Sequence, residues 1–213
     1  MTTVQSFTFS PFSENTYVLF DETMQAVIID PGCYHQHEKE TLADFIIDNG
    51  LTVKYLILTH AHLDHVFGVA FIKRKFGVKA YLHPLDLPIF KEVPMRCQMW
   101  NIPGFEPSEI DFEMAEGDSF EIGNFKLDVI HVPGHAPGHV AFINHKERFL
   151  IGGDVLFNGS IGRTDLPLCN HQDLMGSIKN KFYTLPDDYV VYAGHNEPTT
   201  IGQEKKTNPY VKG

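Results

Sequence analysis

The stretch Ile57–His65, ILTHAHLDH, places three histidines and one aspartate directly after an apolar run. The run Val53–Leu58 is typical of a buried strand, and the polar residues begin where that strand should end. Imidazole and carboxylate groups lose hydration when they are buried, so a cluster at the end of a core strand needs a compensating partner. Both groups are good ligands for zinc and similar divalent ions. The stretch therefore predicts a metal site at a strand end.

The spacing within this stretch favours two ions over one. His60 and His62 are two residues apart, so a tight loop can turn both toward one ion. Asp64 and His65 lie where we expect a helix over 65–76 to begin, and they could face a second ion beside the first. A single ion with a structural role would not need four candidate ligands within six residues, whereas two ions that each keep an open position or share a water would use them better. Capping of the helix is the alternative interpretation, but one histidine would satisfy it.

Further candidate ligands stand after other predicted strands. His135 in VPGHAPGH follows a strand over 125–131, Asp154 in LIGGDVLF follows a strand over 148–151, and His195 in VVYAGHNEP follows a strand over 189–192. An open α/β architecture places its sites outside the strand termini, so we expect these side chains to meet. His131 and His139 flank the third motif and are candidates to orient ligands. Five other histidines we expect on the surface or in ordinary loops: His35, His37, His83, His145 and His171.

Strands alternate with helices along the chain, which predicts a layered α/β protein. We expect helices over 37–49, 65–76 and 172–182, each closing near a glycine or a polar loop. The two halves also resemble each other, because LILTHAHLDH and DVIHVPGHAPGH each lead an apolar strand into a histidine-bearing loop. Two such units facing each other would bring both loops to one edge. Lys91–Pro107, with three prolines and the only tryptophan, reads as irregular: either a lid over a pocket or a packed surface loop.

Composition limits the classes of partner and location. The 213 residues fit one domain, residues 1–213. Lysine and arginine number 17 against 27 acidic residues, a net charge of −10 that argues against nucleic-acid binding. No segment has the roughly 20 apolar residues needed to span a bilayer, and no secretory signal is visible. Cys33, Cys97 and Cys169 form no C-x-x-C pair, so we expect reduced thiols in the cytoplasm. Oligomeric state is not indicated.

Four motifs, THAHLDH, PGHAPGH, GGDVLF and the final GH, resemble those of the metallo-β-lactamase superfamily, in the same order. The resemblance begins at Asp30-Pro31-Gly32 and covers nearly the whole chain. It implies an α/β fold of four layers, the αββα sandwich, with a metal site on the shared edge of two sheets. Within the superfamily the chain is most similar to the glyoxalase II (hydroxyacylglutathione hydrolase) group. GSIGRTDLP (Gly159–Pro167) and PTTIGQEKKTNPY (Pro198–Tyr210) point the same way.

This resemblance implies roles for individual residues. His60, His62 and His135 would bind one ion, Asp64, His65 and His195 the other, and Asp154 would bridge them. Arg163 takes the place of a cationic contact to glutathione. Full-length glyoxalase II enzymes continue into a helical glutathione-binding domain, whereas only 18 residues follow His195 here, so we expect no such domain. The tyrosine expected after the last histidine is replaced by Glu197.

The function that the resemblance implies is hydrolysis of a thioester such as S-lactoylglutathione by a hydroxide bridging two divalent ions, with Asp64 and Asp154 orienting the water. Zinc is the ion expected first, with iron or manganese as alternatives. Three rivals remain: a persulfide dioxygenase with one iron, a lactonase or other small-ester hydrolase, and a non-catalytic module with a structural metal. Secreted β-lactamases usually carry cysteine at the position of Asp154, and flavodiiron proteins carry glutamate at that of His62, so both are disfavoured.

Overall fold

The computed structural model describes residues 1–213 and contains two six-stranded sheets and a short hairpin. The first sheet has, in spatial order, β1 (Thr3–Phe9), β2 (Glu14–Phe20), β3 (Gln25–Ile29), β4 (Thr52–Ile57), β5 (Ala80–Leu82) and β6 (Phe112–Glu113). The remaining strands are β7 (Ser119–Ile122), β8 (Phe125–His131), β9 (Val140–Asn144), β10 (Phe149–Gly153), β11 (Leu156–Phe157), β12 (Ser160–Ile161), β13 (Val190–Ala193) and β14 (Thr199–Thr200). The second sheet has the spatial order β14-β13-β10-β9-β8-β7, and β11 pairs with β12.

Six α-helices connect and cover these strands. They are α1 (Gln36–Asp48), α2 (Leu63–Val66), α3 (Val69–Phe76), α4 (Leu87–Met99), α5 (His171–Ser177) and α6 (Ile201–Thr207). A 3₁₀ turn over Pro84–Asp86 precedes α4, and one π-helical turn over Ile178–Phe182 continues α5. None of the helices combines the length and the apolar character that a membrane span requires.

Three separate apolar clusters show that the fold has four layers. Successive residues of a strand point to opposite faces, and in β3 Val27 joins the cluster between the two sheets while Ile28 joins the cluster under the helices. Leu42 of α1 completes this outer cluster. On the second sheet Phe142 of β9 faces the first sheet, whereas Ile143 packs in the third cluster with α5 and α6. The predicted αββα sandwich is therefore confirmed.

The two sheets join at the edge where the candidate ligands lie. The carboxyl ends of β4, β8, β10 and β13 all reach this edge, since β10 and β13 are parallel and β8 is antiparallel to the intervening β9. The backbone N–H of Asn15 donates to the carbonyl of Gly194 at 2.7 Å, and the Tyr17 hydroxyl donates to the carbonyl of Ala193 at 2.6 Å. These bonds fasten β2 of the first sheet to the end of β13 in the second.

The predicted helix over 65–76 is wrong as a single element. It forms two helices, α2 and α3, separated at Phe67 and Gly68. A Cβ on Gly68 would lie 2.4 Å from Cys33 Sγ and 2.8 Å from the Pro31 carbonyl oxygen. The chain therefore changes direction at a position so close to the loop after β3 that only glycine, which has no Cβ, fits there.

The irregular segment predicted over 91–107 is wrong in its first half, because α4 extends to Met99 and carries Pro94 inside it. The prolines obscured a helical spacing: Phe90, Val93 and Cys97 are buried on one face and pack into the first outer cluster. His83, expected on the surface or in an ordinary loop, is buried, with its ring stacked on that of His131 at 4.5 Å.

Candidate metal centre

The seven predicted ligands come together at the joined edge of the sheets in two groups of three around one aspartate. In the first group are His60, His62 and His135, whose possible ligand atoms all lie within 4.8 Å of one another. The second group, Asp64, His65 and His195, meets the same limit. The residues of each group come from distant parts of the chain, so the strand ends assemble the cluster.

Asp154 contacts both groups. Its Oδ2 lies 3.3 Å from His135 Nε2 and 3.5 Å from His195 Nε2, and its Oδ1 lies 3.5 Å from His65 Nε2. Asp64 Oδ2 completes the second group at 3.3 Å from His195 Nε2. Because Oδ2 reaches a histidine of each group, the carboxylate lies where a bridging ligand would be needed. This position follows from the place of Asp154 at the end of β10, between β9 and β13.

Each of four histidines has one ring nitrogen held by a partner outside the cluster. Nδ1 of His65 lies 3.0 Å from Asp30 Oδ2, and Nδ1 of His60 lies 3.0 Å from Thr59 Oγ1. Carbonyl oxygens hold the other two, that of Arg163 at 2.8 Å from His135 Nδ1 and that of Ser13 at 3.0 Å from His195 Nδ1. Such partners fix the ring orientation and direct Nε2 toward a metal.

The donor set fits divalent ions. Three buried atoms of the cluster have no hydrogen-bond partner in the protein: His60 Nε2, His65 Nε2 and Asp154 Oδ1. Leaving a buried polar atom unpaired costs about 1–3 kcal/mol, so three at one point are unfavourable without a ligand. Neutral imidazole and carboxylate at this spacing would be satisfied by zinc, iron or manganese.

The charges in the cluster favour a cation. Burial lowers the pKa of His60 and brings that of His62 down to about 3, which leaves both rings neutral and able to act as ligands. Burial acts in the same direction on His65 and His195, but the carboxylates of Asp154 and Asp64 outweigh it. They raise the pKa of His65 above its usual range and that of His195 to about 10. The carboxylates thus draw positive charge into the site.

Asp30 could be taken as an eighth ligand, since it lies within the same limit of His60 and His65. Its oxygens are already engaged, however: they accept from the Thr59 N–H at 2.7 Å and from the Thr59 hydroxyl at 2.5 Å, beside the contact to His65. We therefore assign Asp30 as an orienting partner. The Asp-Pro-Gly after β3 was recognised as a motif, but its contact across 35 residues to His65 could not be foreseen from spacing.

Three more buried residues support the site: Asp86, Glu14 and His139. Of the two histidines expected to orient ligands, His139 contacts a candidate ligand and His131 does not. Asp86 accepts from the backbone N–H of Ala61 at 2.9 Å and of Gly138 at 2.6 Å, which ties the two histidine loops together. His139 accepts from the Asp154 N–H at 3.0 Å through Nε2, whereas His131 contacts a loop carbonyl and not a ligand. Glu14 is fully buried, with Oε1 at 4.0 Å from His65 Nδ1.

A cavity of about 210 Å³ opens beside the cluster. Asp64, Asp154 and His195 form part of its wall, together with apolar side chains such as Ile89 and Trp100. Arg163 also lines it, with its guanidinium paired to Asp165 by bonds of 2.6 and 2.7 Å. Arg163, the predicted substrate contact, therefore lies at the cavity, and it forms an ion pair with the exposed carboxylate of Asp165.

The chain is similar in sequence and in structure to known proteins. The family model of the metallo-beta-lactamase superfamily matches residues 10–195. Hydroxyacylglutathione hydrolase GloC of Haemophilus influenzae is 39% identical over 202 residues, covering 94% of this chain and 93% of that protein. A di-iron-bound form of TTHA1623 superposes with a TM-score of 0.87 at 36% identity, over 98% of this chain and 100% of that one. BLEG-1 B3 metallo-beta-lactamase superposes with a TM-score of 0.87 at 36% identity, over 99% of this chain and 100% of that one.

Proposed function

The chain belongs to the metallo-β-lactamase superfamily and is a metallo-hydrolase of that superfamily; on this premise we propose that it hydrolyses thioesters of the S-lactoylglutathione type. One observation carries the proposal: the Asp154 carboxylate contacts both groups of candidate ligands beside a cavity with a partly apolar lining. The similarity to a protein named hydroxyacylglutathione hydrolase supports the thioester substrate.

The proposed centre holds two divalent ions. His60, His62 and His135 would hold the first ion, Asp64, His65 and His195 the second, and Asp154 both. Zinc suits this donor set, while the di-iron relative supports iron as the alternative. The proposed location is the cytoplasm, which the three free thiols, Cys33, Cys97 and Cys169, support.

In the proposed mechanism the ions activate water and substrate, while the protein residues orient the water and surround the acyl group. Bound divalent ions supply a hydroxide nucleophile near neutral pH and polarise the substrate carbonyl. The carboxylates of Asp64 and Asp154 line the cavity, where they accept hydrogen bonds from the attacking water and orient it. Apolar neighbours such as Leu63 and Ile89 keep other water from the acyl group. The thiolate leaves without a strong general acid, because free thiols have a pKa of only about 8.5.

The proposal is tested by cleavage of S-lactoylglutathione in the purified protein before and after metal removal. We expect turnover in the metal-loaded protein, its loss after chelation verified by elemental analysis, and its return when zinc or iron is added back. Unchanged turnover in verified metal-free protein would contradict metal-dependent hydrolysis.

A panel of other substrates separates the rivals. Because one solved relative is named a β-lactamase, a β-lactam belongs in the panel beside a lactone and a simple ester. Faster cleavage of one of these than of the thioester would move the assignment to that class. Oxygen consumption with a persulfide, at one iron per chain, would identify the dioxygenase instead.

A further inference from the structure

Arg96 differs from the other arginines of the chain. Its side chain is only 16% exposed, whereas those of Arg74, Arg148 and Arg163 are 57–63% exposed. It projects from α4 and lines the cavity beside the metal centre. Placing a guanidinium in a confined site is costly unless its donors are used.

Most of the hydrogen-bonding capacity of Arg96 remains free. One Nη2 bond of 3.0 Å goes to Glu92, one turn earlier on α4, and Glu92 is itself half exposed. Arg96 Nε is buried and has no partner in the protein. A guanidinium has five N–H donors in a planar fork that matches a carboxylate. The residue therefore has donors to offer a ligand in the cavity.

A second cation lies at the same cavity. Arg163 lines it from the loop after β12. Two arginines therefore line the same cavity. Trp100 and Leu166 add apolar surface to the lining. The cavity thus combines candidate metal ligands, apolar side chains and two arginines.

Such a lining suits a substrate with two unlike parts. The acyl group to be hydrolysed must reach the candidate metal ligands, which leaves the arginines for the thiol half. We propose that Arg96, with Arg163, binds a carboxylate on the thiol half of the substrate and selects anionic thioesters over neutral ones. The inference rests on the proposed thioesterase function, and it assigns Arg96 as a specificity-determining residue on α4, a part of the chain that the sequence comparison with glutathione-binding enzymes did not indicate.

The test compares two thioesters that share a lactoyl group. One is the thioester of glutathione, whose thiol half carries two carboxylates, and the other is the thioester of neutral N-acetylcysteamine. Arg96→Gln should raise KM for the glutathione thioester by about tenfold with kcat retained, because one charged hydrogen bond is lost. It should leave the neutral thioester unchanged. Arg96→Lys should restore part of the preference, since it keeps the charge without the fork.

Arg148→Gln is the matched control, because Arg148 pairs with Asp188 on the surface away from the cavity. It should change neither KM. Equal effects of Arg96→Gln on both thioesters, or no effect on either, would overturn the proposal. If Arg96→Gln does not fold, inhibition of the wild-type protein provides the test, with the neutral thioester as substrate. Glutathione should then inhibit more strongly than glutathione diethyl ester does. Equal inhibition by the two compounds would refute the proposal.

Failure of the proposed function gives a different result. If the wild-type protein cleaves neither thioester, the thioesterase assignment fails, but calorimetry with the stable thioether S-methylglutathione still tests Arg96. Tighter binding of S-methylglutathione than of its diethyl ester, weakened by Arg96→Gln and not by Arg148→Gln, would sustain the anion subsite alone. Equal binding of the two would refute it.

Discussion

The ring nitrogens that face into the cluster give it its chemistry. Four histidines each use Nδ1 for an outer contact, which leaves Nε2 directed into the site as a candidate ligand atom. The HxHxDH spacing and the strand-end positions of His135, Asp154 and His195 predicted that these side chains gather, because strand ends are local features of the sequence. The complete set for each ion came from the resemblance to the superfamily. Their outer partners, such as Asp30 and the Arg163 carbonyl, could not be predicted, since they come from contacts across 28–35 residues.

A substitution of Asp154 tests whether one carboxylate is shared by the two ions. Asp154→Asn keeps the shape of the side chain but removes the charge that faces His65, His135 and His195. We expect fewer than two ions per chain by elemental analysis and a loss of thioester turnover of more than about 100-fold, beyond the effect of losing an outer partner. Asp188→Asn, on an exposed aspartate paired with Arg148, is the control and should alter neither quantity. Full metal content in Asp154→Asn would exclude the bridging role.

Asp86 should make the stability of the metal-free protein depend on pH. Burial raises the pKa of Asp86 to about 6 from the ordinary 3.8, despite two backbone N–H bonds that lower it. Between these values the folded chain retains a proton that the unfolded chain has lost, so the free energy of unfolding falls as pH rises from about 4 to about 6. Two pKa units correspond to about 3 kcal/mol.

Asp86→Asn removes this titration. Urea denaturation of both metal-free proteins at pH 4.5 and pH 7 should therefore show a larger stability advantage of the wild type at the lower pH. At pH 7 the single oxygen of asparagine leaves one of the N–H groups of Ala61 and Gly138 without its acceptor, at a cost of about 1–3 kcal/mol. The same difference between the two proteins at both pH values would count against the raised pKa.

At the scale of elements, strand ends were predictable and helices with prolines were not. β4, β8, β10 and β13 carry regular apolar runs, and the sequence located each of them within two residues. α4 was not predicted, because Pro94 is expected to break a helix. The buried residues of α4 nevertheless follow helical spacing. α6 and the short hairpin of β11 and β12 were also missed, since their few residues carry no periodic signal.

Gly153 at the end of β10 tests how closely this element must approach the site. Its φ is +52°, and a Cβ there would lie 2.6 Å from His139 Cε1 and 2.7 Å from Thr59 Oγ1. Gly153→Ala should therefore destabilise the fold by clash as well as by backbone strain and should weaken metal binding. Gly159→Ala is the matched control, because its φ of +70° imposes similar strain with nothing within 4 Å.

Chemical denaturation and metal titration of the two variants separate the contributions. Gly159→Ala should cost about 1–2 kcal/mol from strain alone and leave metal affinity intact. Gly153→Ala should cost clearly more and bind metal less tightly. Equal losses in the two variants would show that the contacts with His139 and Thr59 have no effect beyond the dihedral angle.

At the scale of the whole molecule, the two sheets explain why the ligands come from both halves. His60 and His62 follow the first sheet, whereas His135, Asp154 and His195 follow the second, and the bonds of Asn15 and Tyr17 to the end of β13 hold the halves together at that edge. The similarity of LILTHAHLDH to DVIHVPGHAPGH predicted this convergence, and His62 Nδ1 lies 2.8 Å from His135 Nε2. The alternation of strands with helices predicted a layered α/β protein, and the resemblance to the metallo-β-lactamase superfamily supplied the four layers. The place of α4 in the cavity lining was not predicted.

Anomalous diffraction from crystals of the metal-loaded protein will show whether the seven side chains hold two cations side by side. We expect two anomalous peaks roughly 3.5–4 Å apart, one contacting His60, His62 and His135, the other Asp64, His65 and His195. Asp154 should contact both peaks. A single peak at full occupancy, or peaks away from Asp154, would contradict the two-ion arrangement.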